Sequence, residues 1–137
     1  NYHTEISHFF SALIKKINTA KTKNQKFITL WGTGRALREL LFVNDLADAV
    51  IYFMNKKFKD RFINIGSGVD HQIKWYAKFI MNELGIKLKI KYDKTKPDGM
   101  QRKLLDSNLA KKYGWKYKTS LQIGFKKTYK DFLTKHV

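Results

Sequence analysis

The chain has 137 residues, 43% of them hydrophobic and 15% aromatic, and a formal net charge of +17. This length allows one domain with a buried core, and the apolar content excludes a disordered chain. Cysteine is absent, which excludes disulfides, thiolate metal ligands and a cysteine nucleophile.

Four elements are predicted in the first half of the chain. Apolar side chains at helical spacing predict a helix over residues 6–21, with Ser7 as its N-cap. β-Branched and aromatic residues predict a strand over 27–31, which Gly32 and Gly34 end. A short buried strand is expected over 40–43, before a helix that Asn44 caps. The predicted inward faces of the two helices are Phe10, Leu13, Ile14 and Ile17, and Leu46, Ala49, Val50, Phe53 and Met54.

The second half continues the alternation of strands and helices. A strand is predicted over 61–65, ended by Gly66-Ser67-Gly68, and a third helix follows and stops at Gly85. Period-two alternation predicts a half-exposed strand over 87–92, and a capped helical turn is expected over 106–113. The last helix is predicted over 120–135. This alternation favours an α/β fold. The predicted inward residues are Ile73, Ala77, Ile80, Met81 and Leu84 in the third helix, and Leu121, Phe125, Tyr129, Phe132 and Leu133 in the last.

The positive charge has two interpretations. Clustered cations bind nucleic-acid phosphates, so a basic module in which Trp31, Trp75 and Trp115 stack on bases is one of them. However, the lysines are spread along the chain, and few of the cations are arginines, whose planar fork suits phosphate recognition. We therefore favour a solvated lysine-rich surface. The arginines are Arg35, Arg38, Arg61 and Arg102.

Two segments hold polar groups that a plain core does not require. The first runs from Asn1-Tyr2-His3 to Ser7-His8, where a histidine at a helix start could serve as general acid or base, or simply lie at the surface. The second is Trp31-Gly32-Thr33-Gly34, followed by Arg38-Glu39. Trp offers a stacking plane and Arg can grip a diphosphate, although a tight turn between strands is an equal interpretation. This segment lacks the third glycine of a dinucleotide-binding turn.

Two further turns were weighed as ligand sites. Asn64-Ile65-Gly66-Ser67-Gly68 is interpreted as a simple change of chain direction, and no functional role is assigned to it. Lys96-Pro97-Asp98-Gly99, leading to Arg102-Lys103, presents one carboxylate and several cations, as a nucleoside diphosphate would require. In isolation an ordinary Pro-Asp-Gly turn with solvated lysines is the favoured interpretation.

Taken together and in order, these segments resemble the C-terminal part of the GDP-L-fucose synthases, a family of bifunctional epimerase-reductases among the extended short-chain dehydrogenases. The resemblance extends over essentially the whole chain. It is carried by Asn1-Tyr2-His3, Ser7-His8, Trp31-Gly32-Thr33-Gly34, the run from Arg38 to Ala47, the run from Ile63 to Asp70, Lys96-Pro97-Asp98-Gly99 and the run from Arg102 to Asp106.

The resemblance implies a chemistry and a set of site residues. Members of the family epimerise GDP-4-keto-6-deoxy-D-mannose at C3 and C5 and then reduce C4 with NADPH. His8 would be the proton donor and would lie close to the nicotinamide. The family's cysteine partner and its Tyr-x-x-x-Lys pair would lie upstream, and we interpret that spacing at Tyr52 and at Tyr92 as coincidence. The implied substrate-binding residues are Lys16, Trp31, Arg38 and Asp98, with Lys103 a further candidate for the diphosphate.

The resemblance also defines the expected architecture. Residues 1–137 would form the C-terminal substrate-binding lobe of an extended short-chain dehydrogenase and would lack most of the Rossmann domain. NADP would be bound mainly by an N-terminal domain outside this chain, so the chain alone should be inactive. We expect a cytoplasmic location, a homodimeric parent, a GDP-sugar substrate and no metal, membrane or specific nucleic acid. The alternatives are another nucleotide-sugar epimerase or reductase and the nucleic-acid-binding module.

Overall fold

Helices and short strands alternate along the chain in the computed structural model, which describes residues 2, 7–57 and 59–136. The α/β fold class is confirmed. Within the described residues, no helix combines the length and apolar content needed to cross a bilayer. The elements are α1 (Phe9–Thr22), β1 (Phe27–Trp31), β2 (Leu37–Glu39), α2 (Val43–Met54), β3 (Asp70–Gln72), α3 (Ile73–Glu83), β4 (Lys89–Asp93), β5 (Arg102–Lys103), α4 (Asn108–Lys112) and α5 (Leu121–His136).

The main core lies where α1, α3 and α5 pack together with β1. Ile14 and Ile17 of α1 and Ile80 of α3 are fully buried, and Phe125 of α5 is nearly so. Burial of a large apolar side chain stabilises a fold by about 1.5–3 kcal/mol, so these periodic positions hold the helices together. The helical faces predicted for α1 and α3 are confirmed. In α5 the prediction is wrong at Leu133, which is exposed.

Strands β1 and β4 form a parallel pair that carries the main core on one face. Ile28 and Leu30 of β1 are buried, whereas Phe27, Thr29 and Trp31 alternate with them on the exposed side. Side chains of a strand point alternately to its two faces, which explains this pattern. The predicted strand over 87–92 is confirmed in type and begins two residues later, at Lys89.

The second sheet has the strand order β3-β2-β5. The strand predicted over 40–43 is wrong in position. The strand lies instead at Leu37–Glu39, antiparallel to β3 and parallel to β5. Two charged residues, Arg38 and Glu39, can occupy this strand because both side chains form hydrogen bonds with the backbone. The Arg38 guanidinium donates to backbone carbonyls, and the Glu39 carboxylate accepts the N–H groups of Gly68 and Leu105 at 2.6 and 3.0 Å.

Residues 61–65 are not a strand, which corrects another prediction. A strand exists only where a neighbour exchanges backbone hydrogen bonds with it, and none of the described strands pairs with this segment. Its apolar residues are nevertheless used. Ile63 and Ile65 pack against a second, smaller core built around Ala49, Ala110 and Trp115.

Helix α2 covers this second core with one face only. Ala49 is buried and Phe53 is half-buried, as predicted. The prediction is wrong for Leu46, Val50 and Met54, which are exposed. Helical spacing identifies an apolar stripe on α2, but it does not say whether another element covers that stripe.

Both predicted N-caps are displaced by one or two residues. His8, not Ser7, occupies the N-cap position of α1, and the Ser7 hydroxyl donates to the His8 carbonyl at 3.4 Å. Helix α2 begins at Val43, so Asn44 lies inside its first turn. The N–H groups of Asp45 and Leu46 reach the carbonyl of Phe42, which sets this earlier start.

Candidate functional site

Residues from separate parts of the chain line one cavity of about 220 Å³ at the carboxyl end of β1. Its apolar wall includes Leu13, Leu30 and Ile73 from three different elements. The structure brings together four of the six predicted site residues, which are Lys16, Trp31, Arg38 and Asp98. The cavity therefore combines an apolar floor with two cations, one carboxylate and an indole ring.

Arg38 is held in place from both sides of its strand. One guanidinium nitrogen, Nη1, donates to the carbonyls of Leu37 and Met100, each at 2.7 Å. The Arg38 carbonyl in turn accepts the Tyr76 hydroxyl at 2.9 Å, and burial raises the pKa of that hydroxyl to about 12. Within the described residues, no hydrogen bond is seen from Nη2 or Nε, so part of the fork can bind an anion.

Asp98 is clamped by Thr33. The Thr33 N–H donates to Oδ1 and its hydroxyl donates to Oδ2, both at 2.6 Å. These hydrogen bonds lower the pKa of Asp98 below its ordinary value of 3.8, so the carboxylate is ionised at neutral pH. Gly32 makes this possible because it has a φ of +63°, and a Cβ there would collide with Oδ1 of Asp98. The clamp ties the turn after β1 to the loop that carries Pro97.

Trp31 lies beside two ammonium groups. Its ring is half-exposed, and the Nζ atoms of Lys16 and Lys96 lie 5.4 and 5.5 Å from the ring centroid. Such cation–π pairs contribute about 0.5–1 kcal/mol each at exposed sites. Lys16 also donates to the Thr29 carbonyl at 3.2 Å, which directs it along β1. The ring and the two cations offer a planar surface with positive charge at its edges.

The remaining two predicted site residues lie outside the cavity lining. His8 is exposed at the start of α1, directly after Ser7, which does line the cavity. Lys103 lies on β5 in register with Arg38 and is exposed. Neither side chain makes a contact that tests its predicted role. His3, which was singled out with His8, lies outside the described residues.

Other segments weighed in the sequence have structural partners. The Glu39 carboxylate accepts the N–H of Gly68 and the hydroxyl of Ser67, so that turn is fixed by side-chain bonding. Tyr52 and Lys56 both donate to the Tyr113 carbonyl, at 2.9 and 3.0 Å, and so hold the end of α2 against the chain after α4. This tyrosine–lysine spacing therefore has a packing explanation.

Two contributors to the site were missed from the sequence. Thr33 had been treated as part of a turn, and Lys96 as part of a loop. No local pattern reveals either role, because each depends on contact between the turn after β1 and the loop around Pro97.

The cavity is chemically suited to a ligand that is both planar and anionic. An arginine fork and two ammonium groups attract phosphate oxygens, and the indole face accepts a ring. Its volume is below the roughly 300–1,000 Å³ typical of sites that enclose a whole small ligand. It can therefore enclose only part of a sugar nucleotide.

Known proteins resemble this chain in sequence. The model of the NAD dependent epimerase/dehydratase family matches residues 1–66. The protein named "Probable GDP-L-fucose synthase 1" of Oryza sativa subsp. japonica is 43% identical over 133 residues, which are 97% of this chain and 40% of that protein. The GDP-L-colitose synthase of Yersinia pseudotuberculosis is also 43% identical, over 93% of this chain and 42% of that protein.

A solved structure extends the similarity to the fold. The GDP-mannoheptose C4 reductase of Campylobacter jejuni, solved with NADP bound, is 32% identical with a TM-score of 0.79. The match covers 95% of this chain and 46% of that one. The chain thus spans about two fifths of the length of the curated relatives it matches. Residues 1–66 thus match the model of the NAD dependent epimerase/dehydratase family, and over nearly its whole length the chain is similar in sequence and fold to part of a protein named as a GDP-L-fucose synthase and of a GDP-mannoheptose reductase.

Proposed function

We propose that this chain is the substrate-binding part of a GDP-sugar epimerase-reductase that makes GDP-L-fucose. The observation that carries the proposal is the convergence of Lys16, Trp31, Arg38 and Asp98 on one cavity. Relatives whose names specify GDP-sugars match the chain over nearly its whole length. The free side of the Arg38 fork would bind the diphosphate, and Trp31 would bound the nucleotide.

The cavity does not by itself suit NADP. The turn after β1 leads into another strand rather than a helix, and Asp98 occupies the space beside Gly32. A dinucleotide site instead needs glycines that open directly into a helix whose N-terminus receives the pyrophosphate. We therefore assign NADP mainly to a part of the enzyme that this chain does not span. On this proposal the chain alone does not oxidise NADPH.

His8 would supply one proton in the epimerisation. Protons beside a ketone are acidic because the enolate is stabilised, and epimerisation needs an acid at the face that is reprotonated. His8 is exposed and directly follows Ser7, which lines the cavity. Lys103, on the strand beside Arg38, would add positive charge near the diphosphate.

A second candidate, which differs in the sugar, has a specific observation behind it. The relatives named for fucose and for colitose are each 43% identical to this chain. The second candidate is therefore an enzyme of the same kind that acts on another GDP-hexose. Both candidates share the GDP-binding cavity, and competition between GDP-sugars in the full-length enzyme separates them.

Titration calorimetry at low salt tests the shared part of the proposal. GDP should bind the chain more tightly than inorganic phosphate does, and Arg38→Ala should weaken GDP binding by about 10- to 100-fold, because hydrogen bonds to charged groups contribute about 1.5–3 kcal/mol. Arg61→Ala, which removes an exposed arginine elsewhere, is the matched control and should leave GDP affinity unchanged.

Thermal unfolding of both variants separates loss of the site from loss of the fold. Arg38→Lys adds a second reading, since it keeps the charge but removes the planar fork. It should bind GDP more weakly than the unchanged chain and more tightly than Arg38→Ala. Equal affinity for GDP and phosphate in the unchanged chain, or equal effects of the Arg38 and Arg61 variants, would contradict the proposal.

A further inference from the structure

The amino ends of β1 and β4 carry a surface that is both exposed and basic. Residues 21–27, from the end of α1 into β1, are all exposed, and so are the lysines that alternate before and along β4. No aspartate or glutamate occurs among residues 6–38 or among residues 84–92. We define the lysine face as Lys23, Lys26, Phe27, Lys87, Lys89 and Lys91.

Strand pairing brings the members of the lysine face together. Strands β1 and β4 are parallel, with Phe27 in register with Lys89 and Thr29 in register with Lys91. Paired residues of neighbouring strands point to the same face of a sheet, so Phe27, Lys89 and Lys91 lie on the face opposite the main core. The N–H of Lys89 donates to the Lys26 carbonyl at 3.0 Å, which keeps the two segments paired as far as Lys26.

The lysine face combines an exposed ring with charges that lack internal partners. The Phe27 side chain belongs to a residue that is 41% exposed, and the Nζ atom of Lys91 lies 3.6 Å from its ring centroid. Within the described residues, none of the lysines of this face forms an ion pair, whereas Lys118 and Lys135 do so elsewhere. The positive charge is therefore available to a partner outside the chain.

This surface is separate from the candidate functional site. The cavity lies at the carboxyl end of β1, beside Trp31, whereas Phe27 begins the strand. A strand rises about 3.3 Å per residue, so the backbone positions of Phe27 and Trp31 are about 13 Å apart. A ligand in the cavity does not use the lysine face, which needs a partner of its own.

The chemistry of the lysine face suits an anionic bilayer better than a nucleic acid. Its cations are all lysines, which meet phosphates as point charges, and it contains no arginine fork. A nucleic-acid base that stacked on Phe27 would have to displace the Lys91 ammonium group from the ring. A bilayer instead takes up the ring at the headgroup level while the long lysine side chains stay with the lipid phosphates.

We infer that the lysine face binds the surface of membranes that contain anionic lipids. Each lysine near such a surface strengthens binding by about 5-fold, so five of them supply a substantial attraction. The expectation of no membrane partner rested on apolar runs too short to span a bilayer, and a peripheral contact does not need such a run. The inference is independent of GDP binding, which uses the other end of β1.

Co-sedimentation with vesicles tests the contribution of charge. At about 100 mM salt, vesicles of phosphatidylcholine with about 30% phosphatidylserine should bind the chain at least about 10-fold more tightly than phosphatidylcholine alone. Lys26→Gln with Lys89→Gln should lower this binding by about 20- to 30-fold. Lys112→Gln with Lys130→Gln, at exposed positions of α4 and α5, removes the same net charge and should lower it by less than about 3-fold.

Phe27→Ala tests the contribution of the ring. It should lower binding to the anionic vesicles by about 3- to 10-fold, because part of the phenyl group leaves water at the interface. Phe62→Ala is the matched control, since Phe62 is an exposed phenylalanine in another segment, and it should have no effect. Unchanged thermal unfolding and unchanged calorimetry with GDP in all these variants separate loss of the lysine face from loss of the fold or of the cavity.

Three outcomes would overturn the inference. The first is an equal loss of vesicle binding in the two lysine pairs, and the second is equal binding to anionic and neutral vesicles. The third is a Phe27→Ala variant that binds anionic vesicles as well as the unchanged chain does. If that variant nevertheless lost affinity for a single-stranded oligonucleotide, the lysine face would belong to a nucleic acid.

Discussion

Thr33 and Asp98 lie 65 positions apart in the chain, yet two hydrogen bonds of 2.6 Å join them. Both carboxylate oxygens therefore already accept a donor, although a carboxylate has further lone pairs. The arrangement suggests that Asp98 acts on a ligand through the turn it holds, by fixing where Trp31 lies, more than by direct contact.

A double-mutant cycle distinguishes these two modes of action. Thr33→Val removes the hydroxyl donor, and Asp98→Asn removes the charged acceptor. If the clamp is what matters, each change should weaken GDP binding by about 3- to 10-fold, and the double variant should be no worse than the poorer single variant. Calorimetry with GDP measures all four proteins.

The control for this cycle is Thr95→Val. Thr95 donates to Asp93 at 2.6 Å in an exposed local turn of the same loop, so this change deletes a similar bond without touching the clamp. GDP affinity should be unaffected. If the double variant instead lost GDP affinity by the product of the two single losses, Asp98 would contact the ligand directly.

At the scale of elements, α2 is fixed to the chain before α5 mainly by one buried carboxylate. Asp45, only 5% exposed, accepts the N–H groups of Lys118 and Thr119 and the Thr119 hydroxyl, at 3.1 to 3.3 Å. Asp48, one turn later, pairs with Lys118 at an exposed position. Both aspartates lie in the first turns of α2, but the structure gives them different surroundings.

Asp45→Asn should lower the free energy of unfolding by about 1–3 kcal/mol, because an amide retains only one acceptor oxygen and leaves a buried donor unpaired. Asp48→Asn should cost about 0–1 kcal/mol, as is usual for exposed ion pairs. Urea denaturation of both variants measures the difference. Equal losses would show that the burial of Asp45 has no energetic consequence.

Helices were predictable from this sequence because their apolar spacing is a local property. The buried faces of α1 and α3 could be predicted without knowing which element packs against them, only that its surface is apolar. Strands were less predictable, because a strand also needs a neighbour that pairs with its backbone. Strand β2 forms where β3 and β5 pair with it, whereas residues 61–65 have the composition of a strand but no pairing strand among the described residues. The exposed side of α2 was mispredicted for a similar reason, because the apolar spacing of a helix does not show whether another element covers that side.

The cavity was predictable only through the family resemblance. Spacing alone left Trp31, Arg38 and Asp98 as equally good turn or surface residues, and nothing local brings them together. The structure places them around one cavity, and their roles there, like those of His8 and Lys103, stay predictions. The Thr33 clamp escaped prediction because it joins two loops that are distant in sequence.

For the whole molecule, the net charge of +17 raises the question of nucleic-acid binding. The three tryptophans do not form a stacking groove. Trp115 is buried and donates to Asp48, and Trp75 is stacked between His71 and Phe79. Trp31 has an exposed ring that borders a cavity, with the ammonium groups of Lys16 and Lys96 beside it. The charge therefore supports weak attraction to polyanions without base recognition.

Binding of a labelled single-stranded oligonucleotide should disappear as salt rises from about 50 to 200 mM, because counterion release drives it. GDP affinity should fall by less than about 10-fold over the same range, since few charges are involved and hydrogen bonds and packing contribute. Fluorescence anisotropy and calorimetry give the two curves. Tight oligonucleotide binding that persists at 200 mM salt would favour the nucleic-acid-binding alternative.

The ring of Tyr2 packs 4.9 Å from that of Phe132, centroid to centroid, and its hydroxyl donates to the Thr128 carbonyl. The main core therefore joins residues from opposite ends of the chain. During synthesis on the ribosome, this contact cannot form until α5 has emerged from the exit tunnel. Until then α1 and α3 lack one wall of their core, so the nascent chain exposes apolar surface that favours aggregation.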